Sequence, residues 1–498
     1  MKQKYYEELS MSMYPSALLH RFGVNGKVSG SIYAVGEMKE VIPVIHGPRG
    51  CGYHYRYSAR RRNYPYYNVI SSEMEEGEIV FGGEEKLFQT IIETYRLYSP
   101  KLIVVIPTPV SDVIHDDITS AVKRAKDKGI NVIGIKSELF SHRDKSYSAK
   151  RFKEVAKQRF GESKNLDFDI KGCGFTEVLY SLVEEVMVKT EVIPLTVNIE
   201  PIGFGPHGKQ VLKEIEDTLR LVNVRVNSYF PSSTYEEVLA MPSASLNIIR
   251  RLRWAKKMKE KFGTLYLQIN TTGRYSGIKG ISQFYRDLGI KLGIENEMEN
   301  LVKTKETNAL DRTSLVKEKI SNYRVMIISR NIQSVPYLIE KYALDYAMDI
   351  LSCVVILTDK TKKNLDINHS VLEGLKSKID SAINECSKNT ELIINPREEE
   401  LEELSKNCDV IIGTEDYSFH RFGLPVIHPR HDTMSLSYES YIRSIEKMGE
   451  KLESSINKPN LIINKLGYDR ESYPLLPHNN IIATEKMWSE MWLHRKGK

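Results

Sequence analysis

Short β-branched apolar runs alternate with longer segments of helical period along most of the chain. In the first third the runs are Val41–Ile45, Leu102–Pro107 and Asn131–Ile135, and each reads as a buried strand. Between the first two, "EEKLFQTIIETYRLYSP" from Glu84 sets Leu87, Phe88, Ile91, Ile92 and Tyr95 on one helical face. Glu84 and Glu85 stand at the end where the helix dipole favours carboxylates, and Pro100 stops the helix. A second group begins near Val192. Its strands are "LTVNIE" (195–200), "ASLNII" (244–249) and "TLYLQIN" (264–270), with a helix carrying Val211, Leu212, Ile215, Leu219 and Val222. Charge-rich Lys291–Ser321 reads as helix. The third group begins near Tyr323, with "VMIISR" at 325, "VVILTD" at 354, "LIINP" at 392, "DVIIGTE" at 409 and "PVIH" at 425.

Strands alternating with helical segments predict parallel sheets joined by crossover helices. The expected architecture is α/β: three Rossmann-like domains, each a mainly parallel sheet flanked by helices. The boundaries fall at 1–190, 191–322 and 323–498, the last with a C-terminal helical extension. Ligands on such sheets bind at loops beyond the carboxyl ends of the strands.

Composition narrows the function classes. A length of 498 residues is too great for one core and fits about three domains. A net charge of +6 is small for that length and argues against a dedicated nucleic-acid binder. No run of 18 apolar residues suggests a membrane span, and the first twenty residues lack the pattern of a secretory signal. The five cysteines, Cys51, Cys173, Cys353, Cys386 and Cys408, are scattered and form no CxxC pair. They resemble neither a disulfide framework nor a local four-cysteine metal site, and they fit a cytoplasmic protein.

Candidate chemistry gathers in the first domain. "VIPVI" leads to His46, and "HGPRGCGY" then turns and presents Cys51 near a strand end. On spacing alone Cys51 reads first as a small buried thiol. Behind it, Tyr53–Tyr67 holds six tyrosines interleaved with Arg56, Arg60, Arg61 and Arg62. Arginines among aromatics suit a pocket for an anionic substrate or cofactor, a half-buried solvated loop, or stacking on bases. Val80, Phe81, Gly82 and Gly83 follow an acidic run. They read as a βα turn, or as an exposed aromatic hot spot for a partner. His46 and His115 each read first as hydrogen-bonding structural residues. "GFGPHGKQ" (203–210) follows a strand and opens a helix as a phosphate loop would, but Gln210 stands where the magnesium-binding hydroxyl is needed. It reads as a tight βα connection.

"HGPRGC", "SSEMEEGEIVFGGEEKL" (71–87) and "VIPTPVSDVIHDDI" (105–118), in this order, resemble the nitrogenase component 1 family. "PSASLNIIRRLRWAKKMKEKFGTLYLQIN" (242–270) and "IIGTEDYSFHRFGLPVIH" (411–428) extend the resemblance over most of the chain. It implies that Cys51 ligates a 4Fe-4S or larger iron–sulfur cluster shared with a partner subunit. It also implies that Val80–Gly83 docks an ATP-dependent 4Fe-4S iron protein. A homologous subunit in an α2β2-type hetero-oligomer, a cytoplasmic setting and a substrate or cofactor pocket near His46 and Arg60–Arg62 follow from the same resemblance.

The departures matter equally. The α-type pattern has two further cluster cysteines, where this chain has Asn25 and Pro109. The cysteine and histidine that anchor the large catalytic cofactor fall near Asn247 and Leu436, with His428 and His431 several residues upstream. A second metallocluster therefore has no evident Cys/His anchor. The resemblance leaves three readings: a subunit of a two-component reductase, a scaffold for cofactor assembly, and a cluster-free binding protein on the same fold.

Overall fold

The computed structural model describes residues 27–53, 69–135, 174–200, 205–269, 275, 277–329, 332, 335–356, 369–386, 390–413, 424–427 and 436–456. Three parallel sheets follow one another along the chain. The first has strand order β2-β1-β3-β4, from β1 (Val41–His46), β2 (Ile70–Ser71), β3 (Leu102–Pro107) and β4 (Val132–Gly134). The second has order β6-β5-β7-β8, from β5 (Ile193–Ile199), β6 (Arg225–Tyr229), β7 (Ala244–Ile249) and β8 (Leu265–Gln268). The third has order β11-β10-β9-β12-β13, from β9 (Arg324–Ser329), β10 (Asp349–Val355), β11 (Glu391–Ile394), β12 (Val410–Gly413) and β13 (Val426–Ile427). This is the α/β arrangement of Rossmann-like sheets that the alternating pattern predicts.

By contact the chain divides into two units. Met1–Asn270 with Gln283–Val302 carries the first two sheets, and Thr271–Ser282 with Lys303–Lys498 carries the third.

The first sheet is covered on both faces, which explains why β1 and β3 read as unbroken apolar runs. On one face Val44, Ile103 and Val105 pack with Leu87, Phe88 and Ile91 of α3 (Glu84–Tyr98) and with Ala121 and Val122 of α5 (Ile118–Asp127). On the other, Ile45, Val104 and Ile106 pack with α1 (Lys27–Gly36) and α6 (Gly174–Ser181), in a cluster that takes in Phe230 and Trp254. Two short helices cap the carboxyl edge: α2 (Glu76–Phe81) and α4 (Pro109–Val113). In the second sheet the main helices are α7 (Gly205–Arg220) and α8 (Leu252–Phe262).

Some boundaries differ from the sequence reading. The helical face of α3 buries Thr94 and leaves Tyr95 43% exposed, because the stripe follows Leu87, Ile91 and Thr94. Lys291–Ser321 is not one helix. It joins the end of α9 (Gly277–Leu292) to α10 (Glu295–Ile320), where Gly293 turns left-handed. The strand read from Val354 begins at Asp349. Its polar first residue and the irregularity between Ile350 and Ser352 hide the start. The phosphate-loop lookalike does open α7 after β5, with Gln210 exposed on the helix.

Candidate functional site

All strands of the first sheet are parallel, so the chain leaves β2, β1 and β3 at one edge. His46 ends β1 opposite Pro107, the end of β3. After β1 the chain forms a helical turn in which Cys51 N–H donates to Pro48 carbonyl O at 3.1 Å. After β2 it passes Ser72 and Met74 into α2. After β3, Thr108 caps α4, and the chain returns through His115 and Asp116 to α5. Three loops of different sequence origin thus form one platform.

A buried polar cluster holds these loops. His46 is fully buried, with Nε2 2.7 Å from Asp116 Oδ2 and Nδ1 3.0 Å from Ser72 Oγ. Gly83 N–H donates to the same Asp116 Oδ2 at 2.9 Å, and Gly47 N–H donates to Ser72 Oγ at 3.1 Å. Thr108 Oγ1 donates to His46 carbonyl O at 2.9 Å. Burial lowers the His46 pKa from its ordinary 6.5, and the hydrogen bond and charge of Asp116 offset part of that. His46 is therefore a structural centre of the platform. His115 beside it is exposed and adopts a left-handed φ of 55°.

Cys51 is half-buried and rests against the core on the α1 and α6 side of the sheet. Burial pushes its thiol up. Arg49, two residues before it, is paired with Glu73 at 2.6 Å. Whether the donor set fits an iron–sulfur cluster turns on count. Among the described residues no three His, Cys, Asp or Glu side chains gather as a metal site. Cys51 is the one described cysteine of its unit. Cys353, Cys386 and Cys408 lie in the other unit, with the Cys353 thiol pushed up to about 12 and Cys408 to about 11 by burial. The described residues fit one thiolate of a shared site and do not fit a complete one. Cys173, Asn25, Arg56 and Arg60–Arg62 lie outside the described residues.

Val80 and Phe81 are not on the turn itself but form the last residues of α2, a helix started by a capping box between Glu75 and Glu78. Gly82, at φ 100°, ends it, and Gly83 begins α3. Because α2 buries none of its residues, Phe81 stands 90% exposed and Val80 72%. Val113 of α4 and Tyr53 after Cys51 are further exposed apolar side chains on loops of this edge. Gly83 has no room for a side chain: a Cβ there would lie 2.6 Å from Asp116 Oδ2 and 3.1 Å from His46 Cε1.

The positions of the missing cluster and cofactor ligands among the described residues are filled by structure. Asn247 is fully buried on β7, where its Oδ1 accepts from Asn198 Nδ2 at 2.8 Å. Leu436 is fully buried, and Pro109 is the first residue of α4. His428 and His431 lie outside the described residues. Sequence reasoning missed Asp116 and Ser72 as site residues. Both stood inside quoted motifs, but nothing local says that either side chain turns inward.

Repeated parallel sheets flanked by helices, with a half-buried cysteine and an exposed phenylalanine beyond the carboxyl ends of the first, place the chain in the class of α/β proteins built from Rossmann-like sheets. The chain belongs to the nitrogenase component 1 type oxidoreductase family, whose model matches residues 27–453. It is 27% identical to the nitrogenase iron-molybdenum cofactor biosynthesis protein NifE of Clostridium pasteurianum, over 60% of this chain and 61% of that protein. It is 26% identical to the nitrogenase molybdenum-iron protein alpha chain of Methanosarcina barkeri, over 64% of this chain and 55% of that one. The chain thus spans about three fifths of the length of the curated relatives it matches. Among solved structures, nitrogenase Cp1 at pH 5 shares the fold at a TM-score of 0.54 and 18% identity, covering 86% of this chain and 88% of that one. No helix among the described residues is long and apolar enough to cross a membrane.

Proposed function

We propose that this chain is one subunit of a nitrogenase-like two-component reductase. Cys51 gives one thiolate to an iron–sulfur cluster at the boundary with a homologous subunit, and the Val80–Phe81 edge receives an ATP-dependent iron protein. The observation that carries this reading is the placement of a half-buried thiol and a 90% exposed phenylalanine on short helical segments beyond the strand ends of one sheet edge. Such a cluster, when bound, supplies one-electron transfer. The chain's own residues position the thiol, keep it against an apolar wall, and offer an aromatic contact that desolvates on docking. Arg60–Arg62 remain the proposed contacts for an anionic substrate or cofactor.

A second reading is favoured by Asn247. A residue hydrogen-bonded to Asn198 and fully buried replaces the expected anchor thiol, and NifE proteins are among the relatives. A scaffold that holds a maturing cofactor for transfer needs no permanent anchor there.

The test is anaerobic co-purification with the homologous partner subunit. Iron, acid-labile sulfide and the reduced EPR spectrum are compared between wild type and Cys51→Ala. An assembled complex that loses its iron–sulfur signal makes Cys51 a ligand, and unchanged iron refutes the assignment. Turnover of electrons from the iron protein in the assembled complex separates the reductase from the scaffold.

A further inference from the structure

The turn carrying Cys51 and the turn following Phe81 are joined by a chain of buried side chains, beside which Met74 N–H donates to Gly47 carbonyl O at 3.1 Å and Arg49 pairs with Glu73 at the surface. Gly83 N–H donates to Asp116 Oδ2 at 2.9 Å, and His46 Nε2 lies 2.7 Å from the same oxygen. On the far side of the imidazole, Nδ1 meets Ser72 Oγ at 3.0 Å, and Ser72 Oγ meets Gly47 N–H at 3.1 Å. The hydrogen positions follow from the partners. The Asp116 carboxylate only accepts, so His46 carries its proton on Nε2 and Nδ1 accepts. The Ser72 hydroxyl then donates to Nδ1 and keeps a lone pair for Gly47. Each donor has one acceptor, and the chain begins and ends on backbone N–H groups of the two turns.

This path is dry. His46 is 0% and Ser72 2% exposed, and the Asp116 side chain is 3% exposed. In such surroundings a lost link is not replaced by water at low cost. The backbone also holds Asp116 in place. His115 adopts a left-handed φ of 55°, and Asp116 N–H donates to Ser111 carbonyl O at 3.0 Å, which turns the carboxylate inward. At Gly83 the backbone lies against Asp116 and His46 too closely to admit a Cβ.

We propose that Asp116 is a positioning residue that, through His46 and Ser72, makes the Gly82–Gly83 turn and the Gly47–Cys51 turn one mechanical unit. A displacement at the exposed Phe81 edge is then transmitted to the backbone that carries the Cys51 thiol. The functional meaning of that coupling rests on the docking and ligand roles proposed above, but the coupling itself does not.

Hydrogen–deuterium exchange on the intact chain tests it, resolved to the amides of residues 47–51 and 82–87. Asp116→Ala removes the link at one end and Ser72→Ala at the other. Each substitution is expected to speed exchange at the distant turn about tenfold as well as at its own, since a charge-assisted or buried hydrogen bond is worth about that factor. The core amides of β3 should keep their rates, which separates coupling from global loosening. Acceleration confined to each substitution's own turn overturns the proposal. So does equal acceleration of both turns by Asp117→Ala, a residue that only caps α5. Should Asp116→Ala not fold, Asp116→Asn keeps the shape with a weaker acceptor and carries the same crossed readout. Uncoupled turns in a chain with normal iron sink this proposal and leave the proposed function standing. Crossed acceleration in a chain that binds no iron does the reverse.

Discussion

Asn198 Nδ2 donates at 2.8 Å to both Asn247 Oδ1 and Met241 carbonyl O, while Asn227 Nδ2 donates to Asn198 Oδ1 at 2.8 Å. Two adjacent parallel strands, β5 and β7, are thus cross-linked at the position where a cofactor-anchoring thiol is expected. Asn247→Leu removes an acceptor from a fully buried amide group. It is expected to cost about 1–3 kcal/mol. Urea unfolding monitored by circular dichroism measures this, and an unchanged midpoint would show that the asparagine chain contributes nothing.

His46 ties stability to pH. Its folded pKa is lowered from 6.5, with burial the main cause. The unfolded state therefore takes up a proton that the folded state resists, so this contribution is complete above pH 6.5 and is lost as pH falls below it toward the folded value. The stability difference between wild type and His46→Gln is expected to be flat above that pH and to shrink on acidification. Denaturation midpoints measured from about pH 5 to 7.5 give the slope, and a parallel pair of curves contradicts it.

The docking role proposed for Phe81 predicts an effect on recognition and none on folding. At 90% exposure, Phe81→Ala should leave the melting temperature unchanged. Affinity for the cognate iron protein is expected to drop about tenfold or more, as for an aromatic hot spot. Leu97→Ala, 67% exposed on α3, is the control and should have no such effect. Equal weakening by both substitutions would remove docking from the Val80–Phe81 edge.

Two glycines near the site should respond oppositely to one methyl group. Gly83→Ala meets Asp116 Oδ2 at 2.6 Å and Met74 Cε at 2.7 Å. It is expected to destabilise by about 1–3 kcal/mol. Gly50, in the helical turn before Cys51, has nothing within 4 Å of its Cβ position. Gly50→Ala should be neutral or stabilise by up to about 1 kcal/mol. Thermal unfolding of the two variants side by side decides.

Much of the fold was legible because its signals are local. β3 has the bounds read from its apolar run, since a strand covered on both faces needs an unbroken run, and β7 has the bounds read from "ASLNII". Misreadings fell where one residue carried two meanings. Gly293 sits inside a charge-rich helical pattern and breaks it, and Tyr95 follows the helical period but lies one position past the buried stripe. Phe81 could be read as a turn residue because "FGG" looks like one. The capping box at Glu75 that makes it helical is subtler.

By itself the sequence determined the alternation of strands and helices, the turn that presents Cys51, and the absence of a cysteine near Asn247 and of a histidine at Leu436. Each is a property of a few consecutive residues, set by side-chain period, turn chemistry or residue identity. Tertiary structure alone decided that Asp116 meets His46, 70 positions earlier in the chain, and that Gly83 closes on the same oxygen. That meeting depends on the register that pairs His46 with Pro107, and a one-residue slip would turn the imidazole to the other face of the sheet. Register is set by the summed packing of α1, α3, α5 and α6 on both faces, which no single stretch of sequence contains.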